Sequence, residues 1–332
     1  MGKEYRTIMM KEILEEPDTI EKTVESASEN LKKAIEVLKK SQLVYITGSG
    51  TSFHASIVMQ ITLLKFGIPA VAVMASELGS YIPSNFNGKI SVILFSQSGE
   101  SKDIIDSLDI SRNHGYYTIG ITNLPHSRLA INSDITIITS AGEEKSVAAT
   151  KSHVCQLLLA VMATAYLGSE KETLELRDIK DKIKEIFNSM DNIRKLSDII
   201  TNRLVFLGNG YLYAVALEAS LKFKETSNII TEAYPLREYL HGPIQALDKV
   251  TTVFILDGGD MNYNDIYNKV KEYTQHIITL SSSHRGDINL PKLSIVSSTI
   301  AFIVPLQIMA NFKALNLGTD PDNPDHLTKV VK

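Results

Sequence analysis

From Gln42 onward, short runs rich in β-branched residues alternate with segments whose apolar positions recur at helical spacing. The runs are Leu43-Val-Tyr-Ile-Thr47, Ala70-Val-Ala-Val-Met74, Ile90-Ser-Val-Ile-Leu-Phe95, Tyr117-Thr-Ile-Gly-Ile-Thr122 and Asp134-Ile-Thr-Ile-Ile-Thr139. Strands apolar on both sides must be covered on both faces, and the intervening segments are long enough to be crossover helices. The order therefore predicts a doubly wound α/β fold, a parallel sheet in a three-layer αβα arrangement. Phe53–Phe66, Ser101–His114 and Val147–Leu167 are the predicted covering helices. Ligands of such sheets bind beyond the carboxyl ends of the strands, so the loops after Thr47, Phe95 and Thr139 carry the most weight.

The pattern then restarts. Leu204-Val-Phe-Leu-Gly-Asn-Gly210 echoes Val44-Tyr-Ile-Thr-Gly-Ser-Gly50, and Val250-Thr-Thr-Val-Phe-Ile-Leu256 is placed much as Ile90–Phe95 is in the first half. A duplicated α/β unit is predicted. The 332 residues suit two domains at roughly 100–200 residues each. The expected organisation is a helical N-terminal segment over 1–41, a first α/β domain over 42–168, a charged helical connector over 169–200, and a second domain with a C-terminal tail over 201–332.

Charge excludes several partners. Lys and Arg number 34 against 38 Asp and Glu, a net charge of −4, so no basic surface points to nucleic acid or anionic membranes. A single cysteine forbids an internal disulfide and removes every cysteine-based zinc site, as expected of a reducing cytoplasm. The first residues lack the apolar stretch of a signal peptide. Leu157–Leu167 and Leu293–Met309 are the most apolar stretches and fall short of the ~20 residues that span a bilayer, so both are predicted to be buried helices.

Several motifs carry chemistry. Gly48-Ser49-Gly50-Thr51-Ser52 ends the first strand and opens a helix; it reads as an anion cradle or as a plain glycine turn. Phe53 stands where a dinucleotide fingerprint needs a third glycine, and no Gly-Lys-Ser/Thr follows, which argues against NAD and ATP. Ser96-Gln97-Ser98-Gly99-Glu100-Ser101 follows the next core strand. Helix capping accounts for one of its serines, and phosphate accounts for all of them with Gln97. Glu218, Lys222 and Glu225 share one helix face at i, i+4 and i+7, which reads either as a solvated ion-pair ladder or as a general base beside a lysine. His241-Gly242-Pro243 places an imidazole in a loop. The stretch Gly318–Lys329 is acidic but is interrupted by prolines and lacks the glycine and final glutamate of a calcium loop, so a rigid turn is expected. No histidine spacing suggests a metal.

Taken together these segments resemble the double SIS (sugar isomerase) domain proteins, in particular the isomerase half of glutamine:fructose-6-phosphate aminotransferase and stand-alone glucosamine-6-phosphate deaminases. The resemblance runs from Met10-Lys-Glu-Ile-Leu-Glu-Glu-Pro17 through Ser96–Glu100, Val147-Ala-Ala-Thr-Lys151, Lys222-Phe-Lys-Glu225, His241-Gly-Pro243 and Asp322-Asn-Pro324 to Lys329. It implies two SIS-type domains. It also implies that Ser96, Gln97, Ser98 and Ser101 bind the substrate phosphate with Gly50, Thr51 and Ser52, and that Val147 and Ala149 line the sugar. Glu225 would be the carbon-acid base, Lys222 its companion, His241 the ring-opening histidine and Lys329 the lysine that meets the open-chain sugar. The resemblance further implies a homodimer with His241 contributed across the interface, and no cofactor.

Departures from the family bear on the activity. Residue 2 is Gly2 and the only cysteine, Cys155, lies in an apolar helix, so the chain is not expected to hydrolyse glutamine. Asp325 replaces the family's arginine after Asn-Pro, and little follows Lys329. The Glu144-Lys-Ser-Val-Ala-Ala-Thr-Lys-Ser152 loop looks more like the deaminase branch. The expected reaction is glucosamine 6-phosphate plus water giving fructose 6-phosphate plus ammonia. Alternatives are an aminotransferase isomerase subunit served by a separate glutaminase, a deaminase of another amino-sugar phosphate, and a non-catalytic sugar-phosphate sensor.

Overall fold

In the computed structural model, which describes residues 7–259, 263–283 and 286–330, every predicted apolar run becomes a strand. The chain forms two compact units. One holds Glu15–Glu144, Ala149–Lys180 and Lys329–Lys332; the other holds Met1–Leu14, Lys145–Ala148 and Asp181–Thr328.

The first of these is built on β1 (Leu43–Gly48), β2 (Ala70–Met74), β3 (Ile90–Phe95), β4 (Tyr117–Thr122) and β5 (Ile135–Ile138). They pair in parallel in the order β2-β1-β3-β4-β5. α3 (Lys102–Asn113) and a 3-10 segment (Ala75–Tyr81) cover one face, where Tyr45, Val92, Leu94 and Leu108 are buried together. α2 (Thr51–Lys65) packs on β1 and β2 and against α5 (Lys151–Tyr166). α4 (Arg128–Asn132) is a short turn before β5. α6 (Glu170–Glu175) packs on α5. The predicted helix over Val147–Leu167 starts later than the periodicity indicates: residues 147–150 are irregular, because the Glu144 carboxylate, not helical backbone, receives the first amides of α5.

The second unit repeats the plan with β6 (Arg203–Gly208), β7 (Ile230–Pro235), β8 (Thr252–Asp257), β9 (Ile277–Ser281) and β10 (Ile288–Asn289), all parallel in the order β7-β6-β8-β9-β10. Read from its edge, this is the order of the first sheet displaced by five strands. α9 (Tyr211–Ser227) packs on β6 and β7, with Phe223 against the stacked rings of Phe206 and Phe254. α10 (Asn264–Lys271) buries Ile266 and Val270 on the opposite face among Val205, Val253 and Ile255.

The glycine echo has a steric cause. A Cβ on Gly48 would lie 2.6 Å from the Ser52 carbonyl carbon, and one on Gly208 would lie 2.3 Å from the Leu212 carbonyl oxygen. Gly50 and Gly210 both hold φ 52°, a left-handed value that glycine adopts without strain. The strand-to-helix turn is therefore the same device in both halves.

α11 (Ile295–Leu317) is longer than the apolar stretch Leu293–Met309 implied, because helical residues continue past Met309 to the left-handed cap at Gly318. Its 23 residues are long and apolar enough to cross a membrane by length and composition, but 94% of the most apolar window is buried inside the protein. It packs along α9 and α8 (Met190–Ile199) as a core helix; α7 (Ile179–Ile186) precedes α8. The acidic stretch after Gly318 is a turn: the Asp322 carboxylate accepts from the amides of Ile8 (2.8 Å) and Met9 (2.7 Å), capping α1 (Ile8–Leu38).

Candidate functional site

In the first unit, Ser96–Ser101 turns from β3 into α3. The Ser96 hydroxyl accepts from the Gly99 amide (3.0 Å) and that of Ser98 accepts from Glu100 (3.2 Å). Each hydroxyl, having accepted, retains its own proton to donate. The Gln97 carbonyl is held by the Asn123 amide (3.0 Å) and the Thr122 hydroxyl (3.2 Å), which ties the loop to the end of β4. Gly99 has φ 63°, and a Cβ there would fall 2.2 Å from Ser127 Oγ. Ser101 occupies the N-cap position of α3 but makes no side-chain cap bond. Capping thus does not consume the loop's serines, and their hydroxyls gather at the positive end of a twelve-residue helix.

At the start of α2, Thr51 is half-buried and Ser52 is buried, its hydroxyl accepting from Gln156 Nε2 on α5 (3.0 Å). The amides of Ser52 and Phe53 turn back onto the carbonyls of Ser49 and Gly50. Gly50 contributes the left-handed turn described above. Ala149 is half-buried in this unit.

Lys329 also lies in the first unit. Its ammonium is 2.9 Å from Oε2 of Glu144, a fully buried side chain that also accepts from the amides of Thr150 (3.0 Å) and Ser152 (3.1 Å) and from the Ser152 hydroxyl (2.7 Å). Burial pushes the Glu144 carboxyl up; the Lys329 charge and these hydrogen bonds outweigh it and hold the group below its ordinary value.

In the second unit, α9 brings Glu218, Lys222 and Glu225 together. Lys222 Nζ is 2.5 Å from Glu225 Oε2 and 3.3 Å from Glu218 Oε1; the lysine and Glu218 side chains are 0% exposed and Glu225 is 19% exposed. A solvated ladder is therefore excluded. Burial lowers the Lys222 pKa, but the two carboxylates dominate and raise it above the ordinary lysine range. Lys222 is a fixed cation with one inner partner and one partner that meets solvent. Val147 is half-buried here, its amide donating to the Asp322 carbonyl (3.0 Å). His241 is exposed at the end of a 3-10 turn (Glu238–His241), and among the described residues it makes no hydrogen bond or ion pair with the α9 cluster.

Two arrangements escape sequence reasoning. Glu144 lies six residues ahead of the cap it supplies, and no local pattern marks it. At the end of β8, where the second sheet repeats the Ser96 position of the first, Asp257 accepts from the Gly259 amide (2.9 Å) and from the hydroxyls of Ser281 (2.7 Å) and Ser283 (3.0 Å). This strand end is closed by its own carboxylate, whereas its counterpart carries neutral donors. Among the described residues no group of three or more His, Cys, Asp or Glu is placed to hold a metal ion.

Two parallel sheets of one topology, each wrapped by helices and opening through the same glycine turn, define a duplicated α/β protein of the sugar-isomerase type. The SIS domain model matches residues 37–166 and 200–310, and the chain belongs to that family. It is homologous to the isomerizing glutamine–fructose-6-phosphate aminotransferase of Aquifex aeolicus, with 31% identity over 98% of this chain and 58% of that one. The chain thus spans less than two thirds of the aminotransferases it matches. Two solved structures are similar over nearly all of both chains. The C-terminal domain of glucosamine-fructose-6-phosphate aminotransferase from Francisella tularensis has a TM-score of 0.86 and 27% identity, covering 96% of this chain and 99% of that one. Glucosamine-6-phosphate deaminase from Thermotoga maritima has a TM-score of 0.84 and 27% identity, covering 98% and 99%.

Proposed function

We propose that this protein is an aldose–ketose isomerising deaminase that converts glucosamine 6-phosphate and water to fructose 6-phosphate and ammonia. The observation that carries the reading is the α9 cluster: a buried lysine, fixed as a cation by an inner carboxylate, presents a second carboxylate that reaches solvent. A carboxylate so placed can accept a proton from carbon while the neighbouring ammonium balances the charge.

The steps balance without a cofactor. His241, contributed in the proposed homodimer by the neighbouring subunit, assists opening of the pyranose ring. Glu225 takes the C2 proton of the opened chain and returns it to C1 while a second proton passes from the C2 amine to the C1 oxygen, so the aldehyde with a C2 amine becomes a C1 alcohol with a C2 imine. Water adds to the imine carbon and ammonia leaves, giving the ketone. Lys222 and Lys329 stabilise the charge on oxygen and nitrogen during the transfer. The Ser96–Ser101 loop, with Thr51 and Ser52, binds the phosphate and so supplies binding energy remote from the reacting carbons. Gly50 shapes that turn, and Val147 and Ala149 line the sugar.

A second reading is an isomerase subunit supplied with ammonia by a separate glutaminase, and the aminotransferase relatives favour it. The two readings part in one assay. Ammonia release is measured over a panel of hexosamine 6-phosphates, and glucosamine 6-phosphate formation from fructose 6-phosphate is measured with ammonia and with glutamine. The deaminase reading expects sustained ammonia release from glucosamine 6-phosphate alone. No release, with synthesis only when a glutaminase and glutamine are added, would overturn it.

A further inference from the structure

Glu144 does two things with one carboxylate. Oε1 accepts the amides of Thr150 and Ser152 at the start of α5, and Oε2 accepts the Ser152 hydroxyl and the Lys329 ammonium at 2.9 Å. The cap needs only neutral donors, and they leave the charge of a wholly buried carboxylate uncompensated, a costly state inside a protein. Lys329 supplies that countercharge. Lys151, at the first position of α5, directs its ammonium elsewhere, to Glu15 at 2.6 Å. The dependence is mutual: Lys329 has a flexible four-carbon stem and is 25% exposed, so a rigid partner is what fixes its head in space.

We propose that Glu144 is a positioning residue for Lys329, using the helix cap as a rigid mount that aims the ammonium at the sugar. This rests on the role proposed for Lys329 in the reaction. Glu144 touches no substrate atom; it acts through the lysine. The helix cap and the lysine mount are separable, because Glu144→Gln keeps a carbonyl oxygen for the two amides and loses the charge that holds Lys329.

The test is a double-mutant cycle on the full chain with Glu144→Gln, Lys329→Met and the pair, assayed on glucosamine 6-phosphate, together with acetic anhydride labelling of Lys329 read by mass spectrometry against exposed lysines such as Lys33. The expected result is a kcat roughly tenfold or more lower in Glu144→Gln, inhibition by inorganic phosphate within about twofold of wild type, and no further loss when Glu144→Gln is added to Lys329→Met. Labelling of Lys329 should rise several-fold in Glu144→Gln, a change that a cap alone would not produce. Glu144→Asp, which keeps the charge but retracts it, should show the same labelling change if Glu144→Gln folds poorly. Multiplicative losses in the double variant, or unchanged Lys329 labelling, would overturn the proposal. Wild-type kcat in Lys329→Met would instead remove the role given to that lysine in the reaction, and unchanged labelling is then the outcome that still judges Glu144 separately.

Discussion

Lys222 reaches Glu225 from inside the fold: its ammonium is 2.5 Å from the Glu225 carboxylate and 3.3 Å from Glu218, and no part of the lysine side chain is exposed. Removing a partner from such a pair leaves a charge stranded in a low-dielectric interior. Lys222→Met is therefore expected to cost about 3–5 kcal/mol, because it leaves the Glu218 carboxylate buried without the lysine's charge. Guanidinium unfolding measures this directly. The folded pKa of Lys222 is raised, so its contribution is complete below the ordinary lysine value of about 10.4 and is lost only as pH rises through the higher folded value. The stability gap between wild type and Lys222→Met should not narrow from pH 7 to pH 9. A gap near zero at pH 7 would mean that the ion pair contributes nothing to the fold.

The Ser96–Ser101 loop makes a second prediction. Replacing Ser96 and Ser98 together with alanine should raise KM for the sugar phosphate roughly tenfold or more, the effect of losing about 1.4 kcal/mol of binding. Gly99→Ala should be more severe, since its Cβ would meet Ser127 Oγ at 2.2 Å in a backbone region that disfavours side chains. Steady-state kinetics with circular dichroism as a fold control decides this. An unchanged KM in the serine double variant would move the phosphate elsewhere.

Much of this architecture is legible in the amino-acid sequence alone. β2, β3 and β4 fall where the apolar runs predict; β3 is buried at every position, and a strand covered on both faces leaves a near-continuous hydrophobic signal, while the edge strand β2 keeps its apolar run although Val71 and Met74 are exposed. The glycine echo at Gly48–Gly50 and Gly208–Gly210 is legible because each position has its own steric or dihedral need. Lys222 and Glu225 are legible as neighbours from helical spacing, but their burial is not, since it depends on what covers α9. Side-chain capping from outside the helix is where periodicity misleads. Val147–Ala149 read as helix because they are apolar and follow the right spacing, and only the Glu144 carboxylate, which takes the amides of Thr150 and Ser152 from six and eight residues upstream, shows why the helix waits until Lys151. The acids of the C-terminal turn read as a turn, but nothing local reveals that Asp322 caps α1, more than 300 residues away in the chain.

Cys155 gives a third prediction. It lies on α5 with no exposed surface, its sulfur within 3.2 Å of the Thr23 hydroxyl, and burial pushes its thiol up to about 11. A neutral, covered thiol is unreactive, so an aromatic disulfide reagent at pH 8 should label it only as fast as the protein opens. Stoichiometric labelling of the native protein within seconds would show that the helix is not packed as described.

The proposed transfer of the proton between C2 and C1 by Glu225 is tested most directly by the kcat of Glu225→Gln on glucosamine 6-phosphate. The amide keeps the size of the side chain and its place beside Lys222 but cannot accept a proton from carbon. The kcat should fall roughly 10²-fold or more, with sugar-phosphate binding retained and exchange of the C2 proton with deuterated solvent abolished. Near-normal kcat in Glu225→Gln would contradict it, leaving α9 with a buried ion pair of purely structural use and moving the base to another residue, with His241 the next to test.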